Sequence, residues 1–253
     1  DPFLLLGYHP EYTYGPTTQR RGVGVHPHRG FETVTLAFQG SVAHHDSHGG
    51  GGVIGPGDVQ WMTAASGILH KEYHEEEFSR RGGPFQMAQL WVNLPRAHKM
   101  DAPRYQPLLA AQMGDVTLPD DAGRVRVIAG EFHGVNGPAK TFSPINIYDA
   151  RLNAGGRVAF NFPAHQTVAV LVMKGDVTIN GADKATREDF VLFAKTGEEI
   201  VFEATNDAQL LVLNGEPLNE PIVQYGPFVM NTAQEIQQAF VDFSDGKFGQ
   251  LDE

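Results

Sequence analysis

In the stretch GVGVHPHRGFETVTLAFQG, residues 22–40, His26 and His28 stand two apart at the mouth of an apolar run. In an extended strand, side chains at i and i+2 leave on the same face, so the two imidazoles are neighbours. A second stretch, ASGILHKEYHEEE at 65–77, repeats the spacing with His70 and Glu72. Two short strands, each offering two ligand types on one face, can bring three imidazoles and a carboxylate to one point inside a barrel. That donor set suits a borderline divalent ion and leaves two positions of an octahedral shell open, close in kind to the facial His/carboxylate sites of non-haem Fe(II) oxygenases. A closed tetrahedral zinc site would more usually carry Cys, and this chain has no Cys. The competing reading is ordinary strand histidines with satisfied hydrogen bonds. It suits a single His better than two spaced pairs, each following a Gly-rich turn.

The elements that must position these residues are short β-type runs closed by turn signals. They fall at 31–38, 53–54, 59–63, 86–92, 124–129, 145–152, 167–173, 176–179, 190–194, 199–203 and 208–213. Such spacing predicts an antiparallel sandwich or barrel. The clearest helix signal is NTAQEIQQAFVDF, where Thr232 and Glu235 form a capping-box pattern and Ile236, Ala239, Phe240 and Phe243 form one apolar stripe. The halves look related: FETVTLAFQGSV (31–42) and QTVAVLVMKGDV (166–177) each end a strand in x-Gly-x-Val. The chain therefore reads as two homologous β-barrels with a linker around 95–120. Aligning Gly40 with Gly175 makes Asn161 and Pro163 the counterparts of His26 and His28, and aligning Gly67 with Gly197 makes Ile200 and Phe202 those of His70 and Glu72. One half would hold metal and the other would be a scaffold or lid.

Composition narrows the function classes. With 253 residues, 29 Gly and 16 Pro, the chain fits a turn-rich globular protein. The missing Cys removes disulfides, thiolate catalysis and iron–sulfur sites together. A formal net charge of −11 argues against phosphate-driven binding to nucleic acid. No apolar run approaches the roughly 18 residues that span a bilayer, and no signal-peptide pattern is visible. A cytoplasmic location is expected, as is a short piece ahead of Asp1. The loop HHDSHGGGG at 44–52 is unusually rich in His and Gly; an exposed flexible loop is its expected meaning, a second metal site the sharper one.

The histidine stretches also carry a family resemblance. His26, His28, Glu32 and Gly40 form H-x-H-x-x-x-E with a Gly after the strand, which resembles the first cupin motif, and Gly67 to His70 resembles the second. More specifically HPHRGFETV, PGDVQWMTAASGILHKE, AQLWVNLP (88–95) and GPFVMNT (226–232) look like pirin, a bicupin family, and the likeness runs nearly the whole length. The resemblance implies an all-β fold of two cupin-type antiparallel barrels in tandem with a short C-terminal helix. The division expected is a metal-binding barrel at 1–105 and a metal-free barrel with the helix at 106–253. It implies His26, His28, His70 and Glu72 as metal ligands, Fe(II) or Fe(III) as the metal with other divalent transition ions also accepted, and a monomer.

Two activities follow from the resemblance. One is a quercetinase-type dioxygenase that opens the ring of a flavonol or similar aromatic enol with O2. Glu72 is then the proton acceptor, since a carboxylate ligand can detach and return, and Glu32 is the second candidate, either as base or as a group orienting a histidine. Trp61, Met62, Phe31, Phe38 and Trp91 are candidates for an apolar wall, although core packing is the commoner role for such residues. The other activity is an iron-dependent, redox-sensing regulatory protein acting through protein partners, with the acidic run Glu75–Glu77 as a docking surface. With this net charge, any such role would run through protein rather than DNA.

Overall fold

The computed structural model describes residues 1–253 and is built mainly of strands. It separates into two compact units, one of Pro2–Ala110 with Leu218–Glu253 and the other of Ala111–Pro217 with Asp1. The first unit contains β1 (Phe3–Tyr14), β2 (Gly22–His28), β3 (Phe31–Gln39), β4 (Val42–Asp46), β5 (Gly51–Ile54), β6 (Val59–Thr63), β7 (Ile68–His74), a short helix α1 (Glu76–Arg81), β8 (Gly83–Asn93) and β9 (Arg104–Leu108). Antiparallel pairing gives a five-stranded sheet in the order β1-β8-β3-β6-β9 and a four-stranded sheet in the order β2-β7-β4-β5. Each expected barrel is thus a cupin-type pair of sheets, not a cylinder closed by hydrogen bonds. β3 and β6, inside the larger sheet, are buried along nearly their whole length, which is why FETVTLAF and VQWMT are rich in β-branched and aromatic residues on both faces.

The second unit repeats the plan. A six-stranded sheet includes Ile145–Leu152, Ala208–Gly215 and Thr167–Lys174 at its centre, and a four-stranded sheet includes Arg157–Asn161 and Glu199–Ala204. Its interior is filled by apolar side chains, among them Tyr148, Phe160, Phe162, Val170, Phe202 and Leu210. Ile200 and Phe202, the counterparts of His70 and Glu72, belong to this core, and Ile200 pairs with Phe160.

Three features differ from the sequence expectation. β1 was not predicted, because Pro10 interrupts its pattern; it is an edge strand with an irregular register between His9 and Tyr12, where a missing N–H is tolerated. The stretch 95–120 is not a plain linker, since β9 within it pairs with β6. The division expected at 105/106 follows the chain, whereas by packing residues 218–253, including α2 (Ala233–Ser244), return to the first unit. The cap of α2 is as expected, with the Thr232 side chain accepting from the Glu235 amide at 3.2 Å. Of the stripe, Ile236 and Ala239 are buried while Phe240 and Phe243 remain partly exposed.

The returning segment is latched at the turn between β2 and β3. Arg29, directly after His28, is buried and donates to Asp242 of α2 at 2.8 Å and to the Ser66 carbonyl at 2.7 Å. Gly30 has φ +88°, and a Cβ there would stand 1.9 Å from the Val229 carbonyl oxygen, so only Gly fits. Lys99, only 1% exposed, donates from Nζ to the Gly30 carbonyl (2.7 Å), to Asn93 Oδ1 (2.7 Å) and to the Val229 carbonyl (3.0 Å). Replacing Lys99 by Met strands these acceptors away from water. The expected loss is about 3 kcal/mol in urea denaturation, with faster amide exchange at Val229, whose N–H bonds the Arg29 carbonyl. A loss below about 1 kcal/mol with unchanged exchange would contradict the latch.

Candidate metal centre

β2 and β7 are adjacent and antiparallel, with His26 directly opposite His70. Alternation then sends His26, His28, His70 and Glu72 to the inner face of the four-stranded sheet, toward the five-stranded one. The ligand atoms of His26, His28 and His70 lie within 4.8 Å of one another. Their ring centroids are 4.2 Å (His26–His70) and 4.8 Å (His26–His28 and His28–His70) apart. His28 and His70 are buried, and His26 is half-buried.

The hydrogen bonds settle which nitrogen of each ring is free. A carbonyl oxygen can only accept, so His26 Nδ1, 2.7 Å from the Gly24 carbonyl, carries the proton and leaves Nε2 with its lone pair. His28 Nδ1 faces the Pro227 carbonyl at 3.4 Å in the same way. His70 Nε2 is buried with no hydrogen-bond partner, an arrangement that is costly unless something binds there. Burial, reinforced by the neighbouring His26, pushes the pKa of His28 down to about 3. Burial likewise holds His70 well below the usual imidazole value, against the attraction of Glu72. Neutral imidazoles with bare nitrogens are the form a divalent ion takes, so these residues fit a bound metal.

Glu72 stands on the other side of His70. Its carboxylate accepts from Gln60 Nε2, from Gln89 Nε2 at 2.7 Å and from Thr35 Oγ1 at 3.1 Å. Burial works against its charge, but His44, His70 and Gln89 outweigh that and hold its pKa near 2. With His70 and His44 it forms a second group of ligand atoms within 4.8 Å of one another. The four residues singled out in the sequence are therefore brought together as two overlapping triads that share His70.

His44 is the residue sequence reasoning missed. Far from lying in an exposed loop, it is fully buried on β4, and Asp46 beside it is buried too. Val42, His44 and Asp46 alternate inward, a period-2 signal masked by the glycines that follow. Burial opposes a charge on His44, yet Asp46 and Glu72 together raise its pKa.

Glu32, expected as base or orienting group, is not at the centre. The turn at Arg29–Gly30 resets the alternation, so Phe31, Thr33 and Thr35 face inward and Glu32 faces the other way. There it accepts from Thr63 at 2.7 Å, with Arg104 at 4.0 Å. Trp61 shares that opposite face, whereas its neighbour Gln60 reaches Glu72. Of the other wall candidates, Phe31 and Trp91 pack on His28 at 4.9 and 5.3 Å, Met62 packs with Ile68, and Phe38 lies at the far end of β3. The acidic run has a local role: the Glu75 carboxylate caps α1, accepting from the Glu77 and Phe78 amides, while Glu76 and Glu77 pair with Arg80.

Comparison with known proteins points the same way. The Pirin family model matches residues 1–92 and the model for the Pirin C-terminal cupin domain matches 147–249. A Pseudomonas aeruginosa protein, named only provisionally as a quercetin 2,3-dioxygenase, is 55% identical over 98% of this chain and 86% of its own. Mouse pirin is 39% identical over 98% of this chain and 83% of its own. A crystal structure titled quercetin 2,3-dioxygenase from Acinetobacter baumannii superposes with a TM-score of 0.95 at 49% identity, covering 98% of this chain and 86% of that one. No helix is long and apolar enough to cross a membrane.

Glu32 makes a separable prediction. Burial raises its folded-state pKa from 4.5 to about 7, so the unfolded chain gives up this proton first. Glu32 therefore adds stability that is full below pH 4.5 and is lost as pH rises through 7, on the order of 3 kcal/mol. Glu32→Gln is expected to remove that fall: the difference in stability between variant and wild type should grow between pH 4.5 and 7 in urea titrations. A constant difference across that window would refute the assignment.

Proposed function

This chain belongs to the pirin family, and from that premise we propose that its first barrel is a mononuclear metal-dependent dioxygenase acting on a flavonol or a similar aromatic enol. His26, His28 and His70 are the imidazole ligands, Glu72 is the carboxylate ligand, and iron is the metal. The observation that carries the reading is the set of three inward imidazoles whose Nδ1 sides are occupied and whose Nε2 sides are free, with His26 half-buried. The names of the relatives support the reaction class.

When bound, the metal supplies Lewis acidity toward a substrate hydroxyl and a template for electron transfer to dioxygen. The chain's own part is positioning and proton handling. Trp91, partly exposed and packed on His28 and Phe31, offers a flat apolar face to a planar ring. Glu72 receives the enol proton on a carboxylate oxygen. Gln60, Gln89 and Thr35 orient that carboxylate and keep it ionised until the substrate arrives. A base this stabilised is weak, so it would suit a hydroxyl whose acidity a bound metal had raised. The second barrel, its interior packed with Phe160, Phe202 and their neighbours, supplies no ligands to this chemistry.

Anaerobic reconstitution with Fe(II), followed by quercetin in air, tests the reading through loss of the flavonol absorbance. Wild type should turn over, His26→Ala should lose at least about 100-fold, and Glu72→Gln should lose activity more than it loses iron. Iron bound at one per chain without turnover of any flavonol would contradict the dioxygenase and favour the redox-responsive regulatory reading.

A further inference from the structure

His26 and His28 each rest Nδ1 against a backbone carbonyl, from Gly24 and Pro227. His70 has no such carbonyl. Its Nδ1 faces another side chain, His44 Nδ1, at 3.4 Å. We propose that His44, backed by Asp46, is the positioning residue for His70: it accepts the His70 Nδ1 proton and so aims the Nε2 lone pair at the His26–His28 side of the barrel. This inference rests on the metal reading above, but it concerns a residue outside the ligand set.

Five observations carry it. His44 and His70 are both fully buried, so neither can turn to water for a partner. Tyr105 stacks on the His44 ring, with centroids 5.1 Å apart and planes at 17°, which restricts its rotation. Asp46 is fixed in turn, because its Oδ1 accepts from the backbone amides of His48 (2.8 Å) and Gly50 (2.9 Å). Its other oxygen faces His44 Nε2 at 3.6 Å, a little beyond a full hydrogen bond but with no competing acceptor for that nitrogen. A Cβ at residue 50 would come within 2.2 Å of Asp46 Oδ2, so the Gly-rich turn is what allows this carboxylate to sit under His44. The chain His70 Nδ1–H to His44 Nδ1, then His44 Nε2–H toward Asp46, is the outer half of a carboxylate–histidine–metal arrangement.

Two other arrangements compete. In one, His44 carries protons on both nitrogens and donates toward Glu72 Oε1, 3.9 Å away, which leaves His70 unaimed. In the other, His44 is itself a ligand with His70 and Glu72. Long-range proton–nitrogen correlation on the full chain with 15N-labelled histidine, metal-free and loaded with Zn(II) alone, separates them. The expected result at pH 8 is His70 protonated on Nδ1 and His44 protonated on Nε2 only. Isothermal titration with Zn(II) should then show His44→Leu still binding one ion per chain, 10- to 100-fold more weakly, with much of the loss restored in His44→Gln, whose amide oxygen can accept. A proton on His44 Nδ1 in wild type, an affinity unchanged within about twofold in His44→Leu, or a direct shift of a His44 nitrogen into the zinc-bound range would each overturn the proposal. The wild-type spectrum decides even if the Leu variant does not fold. A wild type that binds no Zn(II) while showing the expected protonation would overturn the metal reading and leave the His44–His70 bond standing.

Discussion

A buried imidazole that is to take a metal ion must keep one nitrogen occupied and the other bare, and under that constraint each of the three clustered imidazoles of the first barrel has a partner at Nδ1. His26 meets it locally, through the carbonyl two residues before it. His28 meets it only because residues 218–253 return to this unit and bring the Pro227 carbonyl to its ring. His70, in the middle of a sheet whose own carbonyls are spent on the ladder, meets it through a second side chain. The latch at Arg29, Gly30 and Lys99 follows from the same need. It holds the returning segment in place beside the ligand strand, and it spends a buried lysine and a buried arginine to do so, groups that are retained only when fully bonded.

The two units answer one plan with opposite interiors. Where the first has His70 and Glu72, the second has Ile200 and Phe202, and the space is filled by Tyr148, Phe160 and Phe162. A polar centre costs packing stability, since histidines, glutamines and a carboxylate replace apolar contacts. The aromatic core of the second unit carries no such cost, which fits a division between chemistry and scaffold.

Much of the architecture was legible because strand alternation and turn residues are local. FETVTLAF, VQWMT and TVAVLVM are strands that their own composition specifies, and the Thr232 cap marks its helix. The His26–His28 and His70–Glu72 pairs were legible for the same reason, each lying within one strand. What escaped depends on contacts distant in sequence or on a broken pattern. Glu32 was misplaced because an H-x-H-x-x-x-E spacing runs through a turn, where period-2 reasoning no longer holds. His44 was hidden by the glycines beside it, which look like a flexible loop until Gly50 is seen making room for Asp46. The return of α2 to the first unit rests on Arg29–Asp242, a pairing 213 residues apart that no local signal announces.

The central claim is that one ion sits among His26, His28 and His70, and an anomalous difference map at the iron edge tests it most directly. Crystals of the Fe(II)-loaded chain should show a single strong peak within bonding distance of the Nε2 atoms of all three histidines, with a Glu72 oxygen as a further ligand. A peak lying between His44 and Glu72 and out of reach of His26 and His28, or no peak in the first barrel from protein shown to hold iron, would contradict the account.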